Sequence, residues 1–335
     1  IDEAAHRAFE EVFERPWSGR LHVPLGSWVG GDRDGNPYVT PAITEEAAGR
    51  AAYAVTLRYL AELDELTDRL SLSSRIVKLP DELYDMLETG SQLVPEVFER
   101  NRRRDAEEPL RLATSFMKAR LERWREGPDT PGAYTSAGEF LEDLQRLGRA
   151  LDQAQASRAR RGFLDPLISQ VRCNGFFGFA LDVREDSDVH TRTVSAIGRA
   201  VDVDLDDPDV LRRELTGRRP LLGPFSELPD DAKKTVDVFH AMRRIRERFG
   251  EAASNTYIIS MTHSVEDLLR VVLLAKETGL VDLAGDEPRS GVDVVPLFET
   301  LRDLENAPNI VRTLFEDPLY RRQLQARRRH QEIML

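Results

Sequence analysis

The sequence predicts a helix-dominated α/β fold in which a few parallel strands are covered by long helices. Three observations carry that expectation. Five short β-type runs, at residues 21–28, 176–183, 256–261, 292–298 and 331–335, are near-continuously apolar and lack strict apolar–polar alternation. That is the pattern of parallel strands buried on both faces. Long amphipathic segments with helical spacing separate them. Polar residues stand just past the runs: Asp32 and Arg33, then Arg184 and Glu185, then Thr262 and His263, then Glu299. In a parallel β/α barrel all strands point one way, so residues beyond their C-terminal ends converge on one mouth. Arg184 and Glu299, far apart in the chain, are therefore expected to share a pocket.

The elements follow in order. The opening Ile1-Asp2-Glu3-Ala4-Ala5-His6 is acidic and helical, unlike a signal peptide. Leu21, His22, Val23 and Leu25 form a β-compatible run into Trp28. Thr44, followed by Glu45 and Glu46, reads as a helix N-cap with acidic residues in the first turn. Behind it Val55, Leu60, Leu63, Leu66 and Leu70 recur at helical spacing. Ser136 and Glu139 have the capping-box spacing, ahead of Phe140, Leu144, Leu147 and Leu151. Ser264 opens a helix whose Val265, Leu268, Leu269, Val271, Val272 and Leu274 go nearly all round, which predicts burial on most sides. Gly279 is its expected stop. Loops at 127–132 and 219–231 are rich in Pro and Gly without marking a domain boundary. No internal repeat or low-complexity tract is present.

Composition excludes several function classes. The 335 residues are 41% hydrophobic and 32% charged, a globular balance. No apolar run approaches the roughly 20 residues of a membrane helix. The net charge of −12 disfavours nucleic acid, whose binding rests on Lys and Arg. The short basic runs at 102–104 and 327–329 read first as solvated helix faces, with a phosphate-binding or effector role as the alternative. The only cysteine, Cys173, excludes an internal disulfide, fits a reducing cytoplasm, and reads as a half-buried thiol near a strand.

The densest signal is the stretch 26–41. Gly30, Gly31 and Gly35 permit sharp turns, while Asp32, Arg33 and Asp34 are expected to organise the loop through an ion-pair network. Asp32, Asp34 and Asn36 imitate the start of a calcium loop, but Pro37 and Ile43 stand where glycine and glutamate are required. A phosphate-binding Gly-x-x-x-x-Gly-Lys motif and a His-Glu-x-x-His motif are both absent. His190 and His263 lie near strand ends and read as structural.

Taken together, these segments resemble phosphoenolpyruvate carboxylase. The loop Gly30-Gly31-Asp32-Arg33-Asp34-Gly35-Asn36-Pro37 is near-identical to that family's. Leu181-Asp182-Val183-Arg184-Glu185, Tyr257-Ile258-Ile259-Ser260-Met261 and Val294-Val295-Pro296-Leu297-Phe298-Glu299-Thr300-Leu301 match in the same order. The final His330-Gln331-Glu332-Ile333-Met334-Leu335 is similar to the strand before the family's Gly-Tyr-Ser-Asp-Ser loop.

The resemblance implies a partial parallel (β/α) barrel of that type with long added helices. It implies one incomplete catalytic domain over 1–335, with helical insertions at about 41–170 and 189–250. It implies joining of phosphoenolpyruvate and bicarbonate into oxaloacetate and phosphate, through carboxyphosphate and an enolate, to supply the tricarboxylic acid cycle. Mg²⁺ or Mn²⁺ is implied as cofactor, with Glu299 as a metal ligand. Arg184 would bind the substrate phosphate, and Trp28 and Leu297 would wall an apolar pocket for carbon dioxide. A cytoplasmic homotetramer is implied for the parent. Structural alternatives stand beside these roles: ion pairing of Arg184 with Asp182, Glu185 or Asp186, ion pairing of Glu299 at a strand end, and core packing of Trp28 and Leu297.

The family's Thr-Ala-His-Pro-Thr-Glu motif with its catalytic histidine has no counterpart here, nor does the loop that supplies its lysine. The chain is therefore expected to be a central piece of a longer enzyme, inactive and aggregation-prone alone. The competing expectation is a non-catalytic helical scaffold or interaction module that kept the motifs. The intact loop, Arg184 and Glu299 argue for the enzyme.

Overall fold

The computed structural model describes residues 2–17, 23–127, 129–223 and 226–335. Its helices, in order, are α1 (Asp2–Phe13), α2 (Pro41–Arg69), α3 (Asp81–Leu93), α4 (Pro95–Asn101), α5 (Pro109–Glu126), α6 (Ala137–Gln153), α7 (Ser157–Ala159), α8 (Asp165–Asn174), α9 (Ser187–Val201), α10 (Pro208–Thr216), α11 (Asp230–Phe249), α12 (Val265–Glu277), α13 (Leu301–Glu316) and α14 (Pro318–Ala326). The strands are β1 (Gly26–Ser27), β2 (Ala180–Leu181), β3 (Val183–Asp186), β4 (Thr256–Ser260), β5 (Val281–Asp282), β6 (Arg289–Ser290) and β7 (Asp293–Pro296). Helices dominate, as the amphipathic periodicity requires.

The chain divides into two compact units, one of Ile1–Leu25 with Val55–Phe176, the other of Gly26–Ala54 with Phe177–Leu335. The first unit is helical. Leu63, Leu66, Leu83, Leu110, Leu144 and Leu147 are fully buried in its core. Each contributes about 2 kcal/mol of apolar burial. Ser136 caps α6, its hydroxyl accepting from Glu139 N at 3.2 Å. The other half of the expected capping box is diverted, because the Glu139 carboxylate accepts from Thr135 N and pairs with Arg120. Arg120 also donates to Asp143 at 3.1 Å and lies 3.9 Å over the Tyr134 ring, while the Tyr134 hydroxyl donates to Asp143 at 3.0 Å. Cys173 lies on α8 and is half-buried.

The second unit holds the seven strands found among the described residues. β1 pairs with β2 in parallel, and β3, β4 and β7 form a parallel sheet in that order. Isolated parallel bridges join Asp32 to Arg184 and Leu297 to Met334. The short β5 and β6 form an antiparallel pair. Val183, Tyr257, Ile259 and Val294 join the large core formed with α9, α11 and α12. Alternate residues Ile258, Val295 and Leu297 occupy a separate small cluster with Met334. Two-sided burial explains why these strands show no alternation in sequence.

Several strand limits differ from expectation. Residues 21 and 22 of the first run lie outside the described residues, and pairing begins only at Gly26. The second run starts late, because Gly175 and Gly178 adopt positive φ (49° and 83°) and turn the chain first. The last run forms no strand, only the bridge at Met334. The N-cap of α2 is not Thr44. The helix begins at Pro41, which needs no N–H partner at a first helical position, and Thr40 Oγ1 accepts from Ile43 N at 3.3 Å. Thr44 instead donates its hydroxyl to the Gly30 carbonyl at 2.8 Å, tying α2 to the glycine loop. Ser264 caps α12 with a full capping box through Asp267, and Gly279 follows at φ +78°.

Candidate functional site

The loop after β1 lies against the start of β3 because glycine stands at 31. A Cβ there would lie 2.0 Å from the Asp182 carbonyl oxygen, so no side chain fits. The close approach allows two backbone bonds, Arg184 N to Gly31 O at 3.0 Å and Arg33 N to Arg184 O at 2.9 Å. The loop thereby extends the parallel set and carries its charged residues to the C-terminal side of the strands.

Those charges reach outward to β3 and beyond. Arg184 Nη2 donates to Asp34 at 2.8 Å and to Glu299 at 3.1 Å, and Nη1 lies 3.7 Å from Asp32. The guanidinium also sits 5.2 Å from the centroid of the Trp28 ring, a cation–π contact. Arg184 and Glu299 thus meet across 115 residues of sequence. The partners of Arg184 are Asp32, Asp34 and Glu299, not Asp182, Glu185 or Asp186. Arg33 points the other way and pairs with Glu185 at 3.3 Å, both side chains about nine-tenths buried. Burial pushes the Glu185 carboxyl up, and neighbouring Asp34 adds to the rise while Arg33 opposes it.

Trp28 is partly exposed and donates its indole N–H to Asp182 at 3.2 Å. Burial raises the Asp182 pKa against that hydrogen bond. Leu297 is buried against Ile258 and Val295, in a cluster that does not include Trp28. Glu299 follows two residues later and is about one-third exposed. Past β4, Met261 adopts φ +53°, a left-handed turn that costs a non-glycine residue about 1 kcal/mol. Beyond it the Thr262 N–H donates to the Leu297 carbonyl at 3.2 Å, and the Met261 carbonyl accepts from the Ser187 hydroxyl at 2.7 Å.

One feature of this rim was not legible from the motifs. His263 Nδ1 lies 2.8 Å from Asp303 Oδ1, and Asp303 Oδ2 accepts the Thr300 hydroxyl at 2.6 Å. The Thr300 hydroxyl, followed by His263, holds the Asp303 carboxyl below the usual range. The available signal was a histidine just past a strand and an aspartate in the first turn of the helix after Glu299. His190 is a different case. It is fully buried, bonded to the Tyr257 hydroxyl at 2.8 Å, and its pKa is lowered to about 3 by burial and by Arg270.

The donor set can be tested against a divalent cation. Asp32, Asp34 and Glu299 surround the single Arg184 guanidinium, so this cluster carries a formal surplus of negative charge. Among the described residues no group of three His, Cys, Asp or Glu side chains forms a metal cage. Mg²⁺ ordinarily takes one or two carboxylates and completes its shell with water and substrate phosphate. A partly exposed Glu299 at a negatively charged rim fits that pattern.

Comparison with known proteins is consistent along the whole chain. The family model described as Phosphoenolpyruvate carboxylase matches residues 3–335. A phosphoenolpyruvate carboxylase of Synechococcus sp. (strain WH7803) is 36% identical over 89% of this chain and 32% of its own length. That of Xanthomonas campestris pv. campestris (strain ATCC 33913) is 38% identical over 98% of the chain and 36% of its own. That of Mycobacterium leprae (strain TN) is 36% identical over 95% and 35%. The chain spans about a third of the length of these curated relatives.

Proposed function

The chain belongs to the phosphoenolpyruvate carboxylase family, and from that premise we propose that its strand-end cluster serves the carboxylation of phosphoenolpyruvate in the whole protein. Bicarbonate is the co-substrate, oxaloacetate and phosphate are the products, and the reaction feeds the tricarboxylic acid cycle. In class it is a carbon–carbon lyase. The observation that carries the proposal is the meeting of Arg184 with Glu299 and Asp34 at the ends of parallel strands.

Arg184 holds the substrate phosphate. Its planar fork can present two N–H groups to two phosphate oxygens, and the Trp28 ring fixes its plane. Glu299 holds Mg²⁺ or Mn²⁺, with Asp32 and Asp34 lending negative charge beside it. The cation, when bound, supplies positive charge to the phosphoryl and enolate oxygens. Trp28 and Leu297 provide apolar surface that keeps water from the enolate and accommodates carbon dioxide. Asp32, Arg33 and Asp34 are organising residues: two of them set the position of Arg184, and the third anchors the loop to Glu185.

The parallel pairings β1–β2 and β3–β4–β7, with bridges on both flanks, support a partial (β/α) barrel that the whole protein completes. The single cysteine supports a reducing compartment, and cytoplasm is the proposed location. No described helix is long and apolar enough to cross a membrane. A homotetramer is the proposed assembly, on family resemblance alone.

The test is steady-state oxaloacetate formation by the full-length protein, with Arg184→Gln and Glu299→Gln compared to wild type. Each is expected to lower kcat/KM by about 100-fold or more, equivalent to about 2.7 kcal/mol of transition-state stabilisation. Glu299→Gln should also weaken Mn²⁺ binding followed by electron paramagnetic resonance. Wild-type kinetics in both variants would refute the assignment.

A further inference from the structure

A basic cleft lies at the opposite ends of the strands. Asn255 precedes β4, Ser290 and Gly291 lead into β7, and all three line a cleft of about 900 Å³. Five arginines line it as well: Arg243, Arg246, Arg289, Arg327 and Arg328. The acidic lining residues are only Glu247 and Glu251, in a chain whose net charge is −12. Such a concentration of guanidinium groups in an acidic protein focuses positive potential locally.

The arginines are not equivalent. Arg327 is clamped by Asp293, with Nε–Oδ1 and Nη2–Oδ2 both at 2.6 Å. Arg243 pairs with Glu247 at 2.8 Å and Arg289 with Asp282 at 3.2 Å. Arg246 is bonded only to a backbone carbonyl, that of Glu251 at 2.7 Å, and has no carboxylate within ion-pair distance among the described residues. Arg328 is exposed, in a left-handed turn at φ +57°, and its side chain has no partner among the described residues. Burial holds the Arg246 pKa below the ordinary arginine value, with Arg327 adding to the fall while Glu251 and Asp293 oppose it.

The local sequence makes room for these groups. A Cβ at Gly291 would lie 2.9 Å from Arg246 Nη2 and 3.0 Å from its Cζ, so a larger residue there would displace the guanidinium from this position. A Cβ at Gly279 would approach Arg243 Nη1 to 3.1 Å. A half-buried arginine without a direct ion-pair partner, beside a clamped one, is suited to binding anions through charge-assisted hydrogen bonds.

We propose that this cleft is a binding site for a small, multiply charged anion, held by Arg246 and Arg328 with Arg327 fixed alongside. Phosphoryl and dicarboxylate ligands share this chemistry. The site is separate from the strand-end rim and does not depend on the carboxylation reading.

The test uses the full-length protein in EDTA at fixed ionic strength. Arginines are modified with phenylglyoxal, and each site is quantified by peptide mass spectrometry with pyrophosphate, succinate or chloride present. Pyrophosphate is expected to slow modification of Arg246 and Arg328 severalfold while leaving exposed Arg50 unchanged. Protection by pyrophosphate alone identifies a phosphoryl ligand; protection by succinate as well identifies a site that reads charge alone. Either result supports the proposal. Arg328→Gln, at an exposed position, should weaken pyrophosphate protection of Arg246 by about tenfold, a loss of about 1.4 kcal/mol. Equal protection by chloride, or no protection at either arginine, overturns the proposal. So does protection of Arg246 that Arg328→Gln leaves at wild-type affinity.

Discussion

Replacing Gly31 by Ala is expected to detach the loop that positions Asp32 and Asp34 against Arg184. The added Cβ would lie 2.0 Å from the Asp182 carbonyl oxygen, and both atoms belong to backbone, so no side-chain rotation relieves the contact. Restoring ordinary contact requires the two segments to separate by about 1 Å or more. That movement breaks the bonds Arg184 N to Gly31 O and Arg33 N to Arg184 O. Two lost bonds at about 1 kcal/mol each, with part of the desolvation penalty for groups left unpaired, give about 2–4 kcal/mol of local destabilisation. Gly35→Ala is the control. Nothing lies within 4 Å of its added Cβ, and the φ of +65° costs only about 1 kcal/mol. Hydrogen–deuterium exchange on peptides covering Arg33 and Arg184 measures the difference. In the local-opening regime, Gly31→Ala should speed exchange of those amides by about 30- to 1,000-fold, and Gly35→Ala by about tenfold or less. Unchanged exchange in Gly31→Ala, or an equal effect of Gly35→Ala, would refute the reasoning.

Two further outcomes follow from buried groups and caps. The folded-state pKa of His190 is depressed from 6.5 to about 3, so the folded protein binds fewer protons than the unfolded chain across that window. Stability from this residue is full above pH 6.5 and declines as pH falls toward 3, by a total of about 3–5 kcal/mol. Melting temperatures between pH 7 and 4 should therefore fall less steeply in His190→Leu than in wild type, and parallel slopes would contradict this. Ser136→Ala removes the side-chain acceptor of Glu139 N at the start of α6 and should cost about 1 kcal/mol, read as a lower urea midpoint for the helical unit.

What the sequence determined by itself was local. The Ser136 cap, the capping box at Ser264, the all-round apolar α12, and the stop at Gly279 depend on neighbours within a few residues and formed as their spacing required, whereas the second half of the Ser136 box was lost to Thr135 and Arg120. The same locality explains the failures. Thr44 looked like a cap because Glu45 and Glu46 follow it, but Pro41 had already begun the helix, and Thr44 serves the Gly30 carbonyl. Residues 331–335 looked like a strand because they end in the apolar Ile333, Met334 and Leu335, yet a strand exists only where a neighbour supplies hydrogen bonds, and only Met334 finds one. Even Gly31 read as a source of backbone freedom, whereas its φ is not positive and its role is to leave space for Asp182.

The candidate site shows the same division. Position after successive strands was enough to name Arg184 and Glu299 as residues of one rim. It was not enough to choose partners: the nearby Asp182, Glu185 and Asp186 were the natural candidates for Arg184, and the observed ones come from 150 residues upstream and 115 downstream. Parallel pairing brings distant strand ends side by side and turns alternate side chains to opposite faces, so register, not proximity in the chain, selects who meets. The arginine cleft was only faintly marked in the sequence, for the same reason. The basic run at 327–329 read first as a solvated helix face, with phosphate binding as the alternative, and only packing sets Arg327 and Arg328 in one cleft with Arg246 of α11, whose guanidinium lies against Gly291.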